Sequence, residues 1–191
     1  MRRLVLSLFL FVCCGAFFYH DSWNYPLLLD DLHLISKNLW TQTGRFDEIW
    51  TSDVFAGSDL IKNKDFRLGY FSPVSMSLVA LVYQIWGDEA FVYHLINFIL
   101  HLSACLWGAL IFFRYFKDGF LAIFAALYFF LHPLRVESVV WVAGFHDLWG
   151  LNFYLLGVLL IQSSTQETQR KSALILKIAA WLFLSASVLC K

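Results

Sequence analysis

Two adjacent carboxylates, Asp30 and Asp31, sit in Asn24-Tyr25-Pro26-Leu27-Leu28-Leu29-Asp30-Asp31-Leu32-His33-Leu34-Ile35, just beyond the first apolar run. A carboxylate there can take a proton from a hydroxyl, the work of a general base. Paired aspartates also begin helices, because their side chains accept from the free amides of a first turn. Both readings stand at this point. A second group, His94, Asn97 and His101, falls at spacings of three and four in an apolar run and so lines one helix face. His94 and His101 could share a metal ion, although hydrogen-bonded packing suits the same spacing. A third stretch, His132-Pro133-Leu134-Arg135-Val136-Glu137, is followed by His146 and Asp147 in Val142-Ala143-Gly144-Phe145-His146-Asp147-Leu148. It offers a cation for an anionic group beside a second acid. The competing reading pairs Arg135 with Glu137 or Asp147 as a structural bridge.

The elements that must position these residues follow from composition. With 60% hydrophobic residues, 15% charged residues and a mean hydropathy of +0.65, the chain is too apolar for an ordinary soluble domain. It reads as an integral, multi-pass membrane protein. The net charge of +0 says nothing about nucleic acid, but no basic run interleaves with aromatics to track phosphates, so no nucleic-acid partner is expected. Cys13, Cys14, Cys105 and Cys190 lie in apolar runs without CxxC spacing, so neither a disulfide framework nor a zinc site is indicated.

Met1-Arg2-Arg3 precedes the apolar run Leu4 to Phe18, which is expected to form a first span at about 4–19. A cleavable signal peptide ending near Cys14-Gly15-Ala16 is the rival. Either outcome leaves the arginines in the cytoplasm and sends residues 20–89 outside. This loop carries ten carboxylates against five basic residues. Leu28, Leu32, Ile35 and Leu39 recur at helical spacing, predicting a short surface helix that starts near the acidic pair.

Residues 71–87 would make a helix about 24 Å long, short of the roughly 30 Å hydrocarbon core. If it only skims or partly enters the bilayer, spans at 90–113, 119–132, 139–161 and 173–190 place Arg114, Lys117, Arg170 and Lys171 in the cytoplasm. If it crosses, both basic loops fall outside. The expectation is therefore a single all-α transmembrane domain over 1–191, a polytopic helical bundle of about five spans with interfacial helices in its first external loop.

Four pieces, in order and spacing, resemble a known family: Asp30-Asp31; Ile49-Trp50-Thr51-Ser52-Asp53-Val54-Phe55-Ala56-Gly57; Tyr93-His94-Leu95-Ile96-Asn97-Phe98-Ile99-Leu100-His101; and His132 to Glu137 running on to Gly144 and Asp147. The chain resembles the N-terminal part of the GT-C membrane glycosyltransferases, most closely the branch of O-mannosyltransferases with transmembrane and tetratricopeptide repeats. The resemblance implies an active site at the outer face of a bacterial inner membrane or of the endoplasmic reticulum. There a sugar would pass from a polyprenyl-phosphate donor to a protein or glycan hydroxyl, with inversion. It implies Asp30 as the base with Asp31 beside it, Arg135 for the donor phosphate and Asp147 as the second acid. His94, His132 and Glu137 complete the substrate-binding set. Some relatives use a divalent cation near the acids; whether one binds here stays open.

The chain also departs from that pattern. Relatives commonly carry a basic residue where Ser72 stands and an arginine where Phe145 stands. They continue through further spans and repeats, so the chain is expected to be an incomplete module: a fragment, a truncated product or half of a split enzyme with a membrane partner. The alternative function is a non-catalytic membrane protein or partner subunit derived from the same fold. No internal repeat or pair of broken helices favours a transporter.

Overall fold

Asn38 shows how this chain sets an element. Its side-chain oxygen accepts from the amides of Trp40 and Thr41 at 3.1 and 3.3 Å and so starts helix α1, Leu39–Thr43. Gly44, at φ 64°, ends it in the left-handed region that glycine enters without a Cβ penalty. The computed structural model describes residues 15–60 and 68–191. Most of the expected first span, with Cys13 and Cys14, lies outside the described residues; 15–19 are helical and run into a 3₁₀ turn, His20–Asn24.

A π-helical turn, Leu32–Ser36, then α1 and α2 (Phe46–Ile49) build the loop. After them come α3 (Pro73–Trp86), α4 (Ala90–Phe116), α5 (Gly119–Leu131), α6 (Arg135–Val140), a 3₁₀ turn at Val142–Gly144, α7 (Phe145–Gln166) and α8 (Arg170–Val188). No strand occurs among the described residues, only an isolated bridge between Asn38 and Ser58. The protein is all-α.

Three described helices are long and apolar enough to cross a membrane: Ala90–Phe116, Val142–Gln166 with its leading turn, and Arg170–Val188. Pro73–Trp86 and Gly119–Leu131 are shorter apolar helices. At 13 residues α5 is about 20 Å long, against about 40 Å for the 27 residues of α4. This is a membrane protein.

Polar side chains fix how the long helices lie. Asn97 Nδ2 donates to the carbonyls of Trp141 and Val142, Asn152 Nδ2 donates to the Leu100 carbonyl, and Arg114 Nη1 donates to Ser163 Oγ at 2.9 Å. These rungs, from one end to the other, make α4 and α7 parallel neighbours. Between them Ser103 Oγ donates to Asn152 Oδ1 at 2.6 Å. α5 turns back on α4 after Asp118, whose carboxylate caps the new helix at Phe120 and Leu121. α8 turns back on α7, and Ser187 Oγ donates to the Gly150 carbonyl. A Cβ at Gly157 would lie 2.8 Å from Leu184, so glycine permits that close approach.

One end of the bundle therefore carries the loop, the α5–α6–α7 turns and the last residues of α8; the other carries residues 114–119 and 163–170. At the loop end Leu27, Leu34, Ile35, Ile49, Val54 and Met76 pack with Val142 and Phe145 in one apolar core. α3 lies across this end. Gln84 Nε2 donates to the carbonyls of Thr41 and Gln42, and Trp50 Nε1 donates to Ser77. At its start, Val74 donates to the Leu189 carbonyl.

Two expectations change. The expected face is met at Ile35, which is buried, and at Leu32, which packs on the core, but Leu28 and Leu39 are exposed; Leu27 and Leu34 are buried instead. The Lys37 amide reaches back five residues to the Leu32 carbonyl, and that wider turn rotates the buried face. The chain also does not run as one helix from 139. α6 stops at Val140, because Trp141 is extended and its carbonyl is held by Asn97.

Candidate functional site

Asp31 is the most constrained of the expected site residues. It is 3% exposed; one carboxylate oxygen accepts from the Ala143 amide at 2.7 Å, the other from the Leu28 amide at 3.2 Å. Burial pushes its carboxyl above the usual carboxylate range, while the Leu28 and Ala143 amides pull the other way. The acid therefore ties the loop to the turn that opens α7. Asp30, one residue earlier, is half-buried and makes no hydrogen bond or ion pair among the described residues. Of the pair, Asp31 is the fixed member and Asp30 the one left to meet something else.

The turn that receives Asp31 is shaped by close backbone approach. A Cβ on Gly144 would lie 2.5 Å from the Ser138 carbonyl oxygen and 2.9 Å from its Cα. Nothing larger than glycine fits without moving α6 or α7.

Arg135 opens α6 and is half-buried. Neither sequence-level pairing forms: its guanidinium lies over the Phe129 ring, 4.9 Å from the centroid, and no carboxylate bridges to it among the described residues. Glu137 points outward and is exposed. Asp147 bonds Lys191 Nζ at 2.6 Å instead. His132 ends α5, and its Nδ1 accepts from the Leu134 amide at 3.3 Å, which leaves Nε2 as the proton-bearing nitrogen.

The polar stripe of α4 is spent on backbone. His94 Nε2 donates to the Tyr25 carbonyl at 3.1 Å, and His101 Nε2 donates to the Phe130 carbonyl at 3.3 Å while its ring stacks on Phe130. With Asn97 on Trp141 and Val142, each member of the stripe holds a different broken chain end. The two histidines are held to separate carbonyls, those of Tyr25 and Phe130. Among the described residues no three His, Cys, Asp or Glu side chains converge to hold a metal.

All seven expected site residues thus stand at the loop end, but not in one closed pocket. The cavities of about 220 to 340 Å³ described between the helices have mainly apolar walls, and neither Asp30 nor Asp31 lines them.

Several organising residues escaped sequence reasoning. Asp53 is 6% exposed and accepts from the amides of Phe55, Gly69 and Tyr70, closing the segment that begins at Ile49. Asn38 Nδ2 donates to the Val54 carbonyl, and Leu39 donates to the Gly57 carbonyl. His33 Nδ1 donates to Asp59 at 2.7 Å, with Lys37 on the other carboxylate oxygen at 3.5 Å. That bond holds Asp59 below the usual carboxylate range. Ser75 meets His146 Nδ1 at 2.6 Å and the Cys190 carbonyl at 3.0 Å. Asp53, His33 and His146 stand in stretches already quoted, though not with these partners; Asn38, Asp59 and Ser75 depend on partners farther along the chain.

No protein-family model matches the chain, and no solved structure matches it. Over 161 residues it is 29% identical to mouse protein O-mannosyl-transferase TMTC2, an alignment covering 82% of this chain and 17% of that protein. The chain spans well under two thirds of the curated relative it matches.

Proposed function

We propose that the chain forms part of a membrane glycosyltransferase that moves a sugar from a polyprenyl-phosphate donor to an acceptor hydroxyl at the non-cytosolic face. The observation that carries this reading is the hydrogen bond from Ala143 to Asp31, which holds the acidic pair against the turn that follows Arg135. The similarity to the mouse enzyme supports the same class.

The chemistry asks for few groups. As the acceptor oxygen forms its bond to the anomeric carbon, Asp30 takes the hydroxyl proton. The carbon–oxygen bond to phosphate breaks on the opposite face, and the departing phosphate keeps the electron pair. Arg135, to which no carboxylate bridges among the described residues, supplies positive charge for that anion. Asp31 acts through position, fixing the backbone from which Asp30 projects.

One observation favours the non-catalytic alternative. Ser72 and Phe145, where relatives carry cations, are buried here, Phe145 inside the apolar core. A protein that binds lipid phosphate without transferring sugar would need fewer cations.

The test is Asp30→Asn assayed in membranes with a labelled polyprenyl-phosphate sugar. Transfer is expected to fall at least a hundredfold, in line with general-base removal, at unchanged protein level. Equal transfer by the variant removes Asp30 from the mechanism.

A further inference from the structure

α8 is the least covered of the three long helices: 6% of its apolar stretch is buried, against 33% in each of the other two. Its outer face nevertheless carries charge. Arg170, Leu174, Lys177 and Trp181 stand four, three and four residues apart, so one stripe of the helix reads cation, apolar, cation, aromatic. Both cations are exposed, and Leu174 and Trp181 are 57% and 69% exposed. No ion pair engages Arg170 or Lys177 among the described residues, and residues 170–191 contain no Asp or Glu. The nearest acid in sequence, Glu167, accepts from the Gln169 amide.

An ammonium among side chains that face lipid is unfavourable unless it reaches water or an anion. Lys177 lies two turns, about 10 Å, inside the start of α8, and a helical Cβ points back toward that start, which lets its four-carbon stem reach toward the level of Arg170. The two charges therefore bracket one headgroup depth, with Leu174 between them. A soluble anion would meet Lys177 only by displacing hydrocarbon from Leu174 and Trp181, whereas a lipid phosphate arrives with its own chains.

We propose that this stripe holds the headgroup phosphate of an anionic phospholipid between Arg170 and Lys177, with the acyl chains over Leu174, Ile178 and Trp181. The site is at the end of the bundle opposite Asp30, the end that its basic residues assign to the cytosol, where the leaflet carries anionic lipid. It makes no use of sugar transfer, so it stands or falls apart from the donor reaction.

The test uses the full chain in phosphatidylcholine nanodiscs with a trace of phosphatidylglycerol bearing a photoreactive diazirine near its glycerol, and adducts are mapped by mass spectrometry. Adducts are expected on Leu174 to Trp181, competed by unlabelled phosphatidylglycerol and not by phosphatidylethanolamine or inorganic phosphate. Arg170→Gln and Lys177→Gln are each expected to cut the yield about fivefold, the pull of one surface cation on an anionic headgroup, at unchanged melting temperature. Lys177→Arg keeps the charge and should keep the yield. Lys117→Gln, at the same end but on the α4–α5 turn, should leave it unchanged. Adducts spread evenly over the lipid-facing helices, equal competition by phosphatidylethanolamine or inorganic phosphate, or yields that ignore Arg170→Gln and Lys177→Gln overturn the proposal. An equal loss in Lys117→Gln also overturns it, since a diffuse positive field would then account for the adducts.

Discussion

The carboxylate of Asp31 accepts the backbone amide of Ala143 at 2.7 Å, joining positions 112 residues apart. A buried acid that also holds the Leu28 amide makes the loop and the α6–α7 turn one unit. Asp30 and Arg135 inherit their places from that junction.

Asp31→Ala removes both acceptors and leaves two partly buried amides without them, an expected loss of about 2 kcal/mol in thermal or denaturant unfolding. The pH dependence has a definite sign. Because burial raises this pKa above its unfolded value, the folded protein takes up the proton first on acidification. The cost of the buried charge is present in full above the raised pKa and is relieved as pH falls through it. Asp31→Asn should flatten that part of the pH–stability curve; an unchanged curve would show that Asp31 does not titrate there.

Gly144→Ala places a methyl group against the Ser138 backbone, where no side chain can yield. A loss of about 1–3 kcal/mol is expected, the usual cost of overpacking. Sugar transfer should fall with it, since the displaced turn carries the Ala143 amide. A stable, fully active variant would mean that the turn has slack.

The fold class was legible in composition, and the helical character of 90–113 and 173–190 in their apolar runs. The break at Trp141 was not, because it depends on Asn97, 44 residues earlier, offering its amide to two carbonyls. The stripe of His94, Asn97 and His101 was visible as a pattern, yet its use on backbone carbonyls required knowing where the chain ends return. Arg135 looked ready to pair with a nearby acid; sequence gave no sign that Lys191 would take Asp147 and Phe129 would carry the guanidinium. Local periodicity placed Ile35 correctly but missed the π turn, which moved burial from Leu28 and Leu39 to Leu27 and Leu34.

Asn152→Leu should loosen α4 from α7. The side chain donates to the Leu100 and Leu148 carbonyls and accepts from Ser103, all within the bundle. A loss of about 1–2 kcal/mol is expected, the range for hydrogen bonds between membrane helices. Thermal unfolding in detergent measures it, and an unchanged midpoint would show that the contact contributes little.

The most direct test of the whole account is the sidedness of the loop end. Single cysteines placed at Leu28, Leu134 and Tyr115, all exposed, in a background without the native cysteines, can be labelled with an impermeant maleimide from either side of sealed vesicles. The account predicts that Leu28→Cys and Leu134→Cys react from the non-cytosolic side and Tyr115→Cys only from the cytosolic side. Reaction of the Leu28 and Leu134 positions from opposite sides would contradict it.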